Sequence, residues 1–362
     1  MGEYILGSFN MFKFSRQGGN ETSKSYSVIA DIIRDAKFDI VSMQEVFSKE
    51  AVKMLVSVLN NGAKAPWKYS WDEPKKTSSK QAREGYAFVW NSNRLDKTAT
   101  MLDDGSIRIF EPRIINQYRK EIIRTGRKEL FRNPYYGRFA PRNARGESYG
   151  FELRIINAHI MYKKSADDKD KFDLSDIKMR KNEYVLLSQV ILPKIDLKRY
   201  GLEEEDGSGV KTHLNAYTVL MGDYNLNIEE IPQNSEQYLT SHPFIMYFPN
   251  GKVKSEIVTI QDEKTTLISL PQNPEDDAEF VGEKHYRNNY DHYTFDKAKF
   301  DTYNVNVDAH RVNVIEENLS FGVNVPISKY FNGDFRRYHD EVSDHLPVMM
   351  KISINQRRAR SI

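Results

Sequence analysis

Short apolar runs alternate along the chain with stretches whose apolar positions recur at helical spacing, the pattern of strands and amphipathic helices taken in turn. Residues 4–9 read as a strand leading into a polar loop through Gly18-Gly19. A helix is expected from about Ser25, because Ile29, Ile32, Ile33 and Ala36 share one face. Residues 39–43 form the next strand. Ser48 then caps a second helix, whose apolar face holds Val52, Leu55, Val56 and Leu59 and which Asn60-Asn61-Gly62 ends. Residues 86–90, 151–158, 217–221, 290–295 and 346–354 are further strands by their β-branched and aromatic content. A third helix is expected over 175–191, with Pro193 as its stop. No internal repeat and no low-complexity linker interrupts this order, so residues 1–362 are read as one domain.

Charge adds one feature to that picture. The chain carries +2 overall, yet residues 108–145 hold nine Arg and two Lys against three Glu, a net of +8. The arginines are interleaved with Phe110, Tyr118, Phe131, Tyr135, Tyr136 and Phe139, so the segment reads as a basic insertion that contacts a polyanion. Residues 203–209, rich in Glu, read instead as a solvated acidic loop. The absence of cysteine excludes disulfides, thiolate zinc sites and cysteine nucleophiles, and leaves oxygen and imidazole as metal ligands. It also fits a reducing compartment. No apolar run approaches the roughly eighteen residues of a membrane helix. Tyr4-Ile5-Leu6 leads straight into a strand, and Leu6 stands where a myristoylation signal wants Ser or Thr. A cytoplasmic location is expected, with secretion left open if a leader has been removed.

The chemistry sits where apolar runs end. Ser8-Phe9-Asn10 closes the first strand with an amide and Gln44-Glu45 the second with an amide and a carboxylate. Asn157-Ala158-His159 and Gly222-Asp223-Tyr224-Asn225 end two more, Tyr290-Asp291-His292 lies in another, and Ser343-Asp344-His345 precedes the last. Each alone reads as a turn, cap or ordinary histidine. Together they supply what phosphate-ester hydrolysis requires. Hard oxygen ligands would hold a divalent cation, a base would aim water, and an acid would protonate the leaving oxygen.

This order of segments, from Ser8 to Pro347, resembles the endonuclease/exonuclease/phosphatase superfamily and, within it, the DNase I-like branch. Arg83-Glu84-Gly85-Tyr86 is similar to that branch's Lys/Arg-Glu-x-Tyr strand, and Arg138 with Pro141 to its Arg-rich phosphate-contacting turn, at a spacing one residue longer. The resemblance implies an α/β fold: a four-layer α/β sandwich of two packed, mostly antiparallel sheets flanked by helices. It implies a metal held by Asn10 and Glu45, with Asp344 contributing to it or to a second ion. Mg²⁺ is the expected ion, with Mn²⁺ or Ca²⁺ substituting or assisting. His159 and His345 would be the acid–base pair, oriented by Glu84 and Asp291 respectively, and Asp223 would position the attacking water. Asn225, Tyr86, Asn157 and Arg138 would contact substrate. The chain departs from the DNase I pattern in lacking cysteine, in the length of 108–145, and in the charged expansion 162–181.

The activity so implied is a divalent-metal-dependent hydrolase, foremost an endonuclease cutting DNA with little sequence specificity, with an inhibitor or regulatory protein as a further partner. The alternatives are a phosphatase or phospholipase acting on inositol phosphates or sphingolipids, for which the apolar run 244–248 would be the membrane-facing element, and a non-catalytic binding domain.

Overall fold

The computed structural model describes residues 2–15, 24–61, 67–73, 84–102, 104–116, 130–144, 146, 148–163, 175–198, 203–205, 211–232, 255–268, 285–315, 331 and 333–354. Gly18-Gly19, Arg83, residues 117–129 and 145 of the basic segment, residues 164–174 and the apolar run 244–248 lie outside them. Strands β1 (Gly2–Phe14), β2 (Ile40–Val46), β3 (Trp67–Asp72), β4 (Gly85–Asn91), β5 (Asp96–Lys97), β6 (Arg113–Ile114), β7 (Tyr135–Ala140), β8 (Phe151–His159), β9 (Asn215–Asp223), β10 (Ile257–Ile260), β11 (Asp291–Asp296), β12 (Asn306–Arg311) and β13 (Val348–Ile354) build two sheets. The first runs β12-β13-β1-β2-β4-β3, and the second β10-β11-β9-β8-β7-β5 with β6 beside β7. In each sheet one central pair is parallel, β1 with β2 and β8 with β9. The other pairings in both sheets are antiparallel.

A parallel pair needs a crossover, and helices supply it. Helices α1 (Tyr26–Asp35) and α2 (Lys49–Asn60) pack Ile29, Ile33, Val52 and Leu55 on the outer face of the first sheet. Ser48 caps α2 as expected, its hydroxyl accepting from the Ala51 N–H at 3.3 Å. Helix α3 (Asp176–Val185) covers the second sheet, with Tyr184 and Val185 packed against Ile156 and Leu220. The inner faces meet in a core that includes Leu6, Phe88, Trp90, Phe139, Leu153, Val219, Tyr293 and Met350. Helix, sheet, sheet and helix thus stack as an α/β sandwich, because each sheet has two apolar faces to cover.

Three local expectations are corrected. Pro193 does not stop the third helix: a π-helical stretch, Leu186–Ile191, carries it into α4 (Leu192–Asp196). The Leu192 N–H already reaches five residues back to the Leu187 carbonyl, and proline has no N–H to lose in the next turn. Residues 108–145 are not wholly an insertion, for β7 is an interior strand of the second sheet with every residue buried. Glu203–Glu205 is not a loop, since it pairs with Lys211–His213 in a small antiparallel ladder.

Candidate active site

The parallel pairs end at the same edge of the sandwich, and their carboxyl ends supply the polar residues. β1 continues past Asn10 through a bulge in which Phe12 and Lys13 have φ of 41° and 55°, and β2 bulges where Glu45 has φ of 54°. Positive φ is costly for a side-chain-bearing residue, and such irregularities re-aim side chains. Here they fold the β1 turn onto Glu45: Oε1 accepts from Asn10 Nδ2 at 3.3 Å and Oε2 from the Lys13 N–H at 3.2 Å. From the other sheet, β9 brings Asp223, whose Oδ2 accepts from Asn10 Nδ2 at 2.9 Å.

Two imidazoles flank Asp223. His159, at the end of β8, is bonded through Nδ1 to Glu84. His345, three residues before β13, is bonded through Nδ1 to Asp291 Oδ2 at 2.7 Å. A carboxylate only accepts, so each Nδ1 carries hydrogen and each Nε2 is the exchanging atom. Both Nε2 atoms face one oxygen, Asp223 Oδ2, at 3.5 Å from His159 and 3.7 Å from His345. Thr265 donates to the same Asp291 oxygen at 2.6 Å, and Asn225 N–H holds Asp223 Oδ1 at 2.8 Å.

Burial favours neutral groups here, and the opposed charges push back. Burial raises Asp223 to about 6, although His345 and His159 act against it. His345 is raised well above the ordinary histidine range, because Asp291 and Asp223 outweigh its desolvation. His159 is raised too, Glu84 and Asp223 overcoming both burial and the Arg132 charge. Glu84 is held below its usual range: burial opposes this, and His159 with Arg132 prevails.

Among the described residues no three His, Asp or Glu side chains converge closely enough to cage an ion alone. The donors that do gather are hard oxygens. Glu45 and Asp344 are half-buried, and Asp344 Oδ1 is buried without a hydrogen-bond partner among the described residues. A buried carboxylate oxygen without a hydrogen-bond partner fits a small divalent ion that keeps several waters.

No family model matches the sequence, and no curated protein matches it significantly. Comparison with solved structures does find likenesses. An endonuclease/exonuclease/phosphatase family protein from Bacteroides thetaiotaomicron is 14% identical with a TM-score of 0.46, over 98% of this chain and 98% of that one. The mannosyl-6-phosphatase of the same organism is 13% identical with a TM-score of 0.47, over 97% of this chain and 100% of its own. A humanized D. rerio TDP2 is 13% identical with a TM-score of 0.46, over 97% and 99%.

Of the residues assigned through the endonuclease/exonuclease/phosphatase resemblance, Asn10, Glu45, Glu84, His159, Asp223, Asn225, Asp291 and His345 are joined by the contacts above, with Asp344 next in sequence to His345. Three residues assigned to substrate contact are engaged within the fold. Asn157 is fully buried and spans the sheets, accepting from Gln44 Nε2 at 2.7 Å and donating to the Met43 carbonyl at 3.0 Å, so its amide is committed to the fold. Tyr86 is 1% exposed, with its hydroxyl accepting from the His159 N–H at 3.3 Å; it holds the strand end and does not reach outwards. Arg138 pairs with Glu152 on the helix-covered face of the second sheet. Its register partner Arg154 lies five residues before His159, roughly 16 Å along the strand.

Two residues not singled out for the site belong to it. Arg132 donates Nη2 to Glu84 Oε2 at 2.6 Å, and its Nη1 is buried with no hydrogen-bond partner among the described residues. Glu84 therefore clamps His159 with one oxygen and Arg132 with the other. Glu183 of α3 accepts from the Phe131 N–H at 2.6 Å and the Met161 N–H at 3.4 Å, bracing the segments that carry Arg132 and follow His159. Nothing in the run of arginines from 108 to 145 marks Arg132 apart. Its one local signal is its place just ahead of β7, a strand that Gly137 and Arg138 conceal.

Proposed function

We propose that this chain is a divalent-metal-dependent phosphodiesterase that cleaves DNA. The observation carrying the proposal is the convergence of two carboxylate-braced imidazoles on one oxygen of Asp223. A phosphodiester seated there has a proton-transfer group on either side, as in-line displacement requires. Asp223 accepts the proton of an attacking water. One imidazolium, stabilised by its carboxylate, donates to the departing oxygen. Arg132, fixed by Glu84, directs Nη1 to a non-bridging phosphoryl oxygen, and the Asn225 amide, held at Ile160 O at 2.7 Å, is a second donor. Asn10, Glu45 and Asp344 would hold Mg²⁺, which supplies charge neutralisation on the phosphoryl oxygens when bound.

DNA as substrate is supported by the basic segment 108–145, in which Arg108 and Arg113 are exposed. Supercoiled plasmid with Mg²⁺ is expected to be nicked, and EDTA to abolish nicking. RNA, inositol phosphates and sphingomyelin in parallel are expected to turn over at least tenfold more slowly. An intact plasmid alongside phosphate release from an inositol phosphate would replace the DNA reading with a phosphatase one.

A further inference from the structure

A buried cation, Lys24, lies in the field of the site's carboxylates. Lys24 precedes the N-cap of α1, and the adjacent Ser25 N–H is tied to the Glu341 carbonyl at 2.7 Å, which draws this segment against helix α5 (Phe335–Glu341). The side chain is only 6% exposed. Its Nζ is buried and has no hydrogen-bond partner among the described residues. Beneath it lies the Phe12 ring, with Nζ 5.1 Å from the centroid, and Lys13 Nζ approaches the same ring at 5.3 Å. The charges that act on Lys24 are the carboxylates of Asp344, Asp340 and Glu45, opposed by Lys13.

Burying an ammonium without acceptors is unfavourable, and lysine is almost never enclosed unless opposite charge surrounds it. Two of these three carboxylates, Glu45, which the Lys13 N–H beside the Phe12 ring holds at 3.2 Å, and Asp344, are those to which the proposed function gives the metal. The ammonium contacts neither closely enough to form an ion pair, so their oxygens stay open to another ligand. Burial pulls Lys24 down to about 8, which leaves it charged at neutral pH. A fixed positive charge near a divalent ion repels it in proportion to the ion's charge.

We propose that Lys24 is a resident cation of this pocket, which holds the centre to a single divalent ion and weakens the binding of that ion. It would do at fixed position what a second metal would otherwise do, offsetting the charge of Asp344 and Asp340. Lys24 acts through the metal's carboxylates and is a positioning residue. The inference rests on the divalent-metal reading above.

Mn²⁺ titration of the full chain at pH 7, followed by equilibrium dialysis and the EPR signal of free Mn²⁺, tests it without reference to activity. Wild type is expected to bind one Mn²⁺. Lys24→Met is expected to bind the first ion at least tenfold more tightly and to take a second, while Lys24→Arg behaves as wild type. Lys24→Gln gives a second neutral variant should Lys24→Met lose its native circular dichroism. Neutral variants with wild-type stoichiometry and affinity within twofold would overturn the role of Lys24 alone. A wild type that binds no Mn²⁺ would remove the metal reading itself.

Discussion

Asp223 joins the two sheets at their polar edge: one oxygen receives the Asn10 amide from the first sheet and faces both imidazoles, while the other takes the Asn225 N–H. Its neighbours were legible because amides, acids and histidines at strand ends are rare enough to stand out in combination. Arg132 was not, since nine arginines share its segment and only three-dimensional pairing with Glu84 separates it from Arg138. Glu183 was hidden for another reason: on a helix an acid looks like solvent-facing surface, and only burial reveals it. Burial raises its carboxyl to about 7, against the two N–H groups it accepts from and the Arg132 charge. A carboxyl whose folded pKa lies above its unfolded value contributes stability that is complete below the unfolded value of 4.5 and is lost as pH climbs through about 7. Glu183→Gln has no such loss. Relative to wild type it is expected to gain about 3 kcal/mol in unfolding free energy between pH 5 and pH 8. Urea unfolding at both pH values measures this, and parallel pH profiles would contradict it.

At the scale of elements, β8 and β9 approach each other so closely at the site that one position admits only glycine. Gly222 has φ of +143°, and a Cβ there would stand 1.9 Å from the Ala158 carbonyl oxygen. That oxygen belongs to backbone and cannot swing aside, so Gly222→Ala must part the strands that carry His159 and Asp223. It is expected to cost about 2–4 kcal/mol in urea unfolding, the range of overpacking with backbone strain. Unchanged stability would show that the strands tolerate the separation. Most strands were visible as apolar runs: β1, β2, β4, β8, β9, β11 and β13 all overlap expected segments. Those missed have physical reasons. β3, β10 and β12 lie at sheet edges, where one side of the strand meets solvent and Lys68, Asn306 or Asp308 is tolerated. β7 carries Gly137, whose missing side chain makes room for Phe88 and Phe139, and Arg138, neutralised by Glu152.

Across the molecule the two sheets pack through apolar contacts over most of their area and through polar contacts at one edge. Gln44 to Asn157, Asn157 to the Met43 carbonyl and Asn10 to Asp223 all cross between sheets there. These cross-sheet hydrogen bonds offset the burial of the amides and fix the spacing of the side chains at the candidate site. The sandwich could be anticipated from motif order, whereas its register could not: a one-residue slip in β8 would turn His159 away from Asp223, and alternation alone does not choose between the two. Among the described residues no helix is long and apolar enough to cross a membrane. Hydrolysis of a simple diester, bis(p-nitrophenyl) phosphate, with Mg²⁺ at neutral pH tests the roles of the two imidazoles. His159→Ala and His345→Ala are each expected to lower turnover on the order of 10²–10⁴-fold while keeping native circular dichroism. Near-wild-type rates in both variants would contradict the assignment of this site.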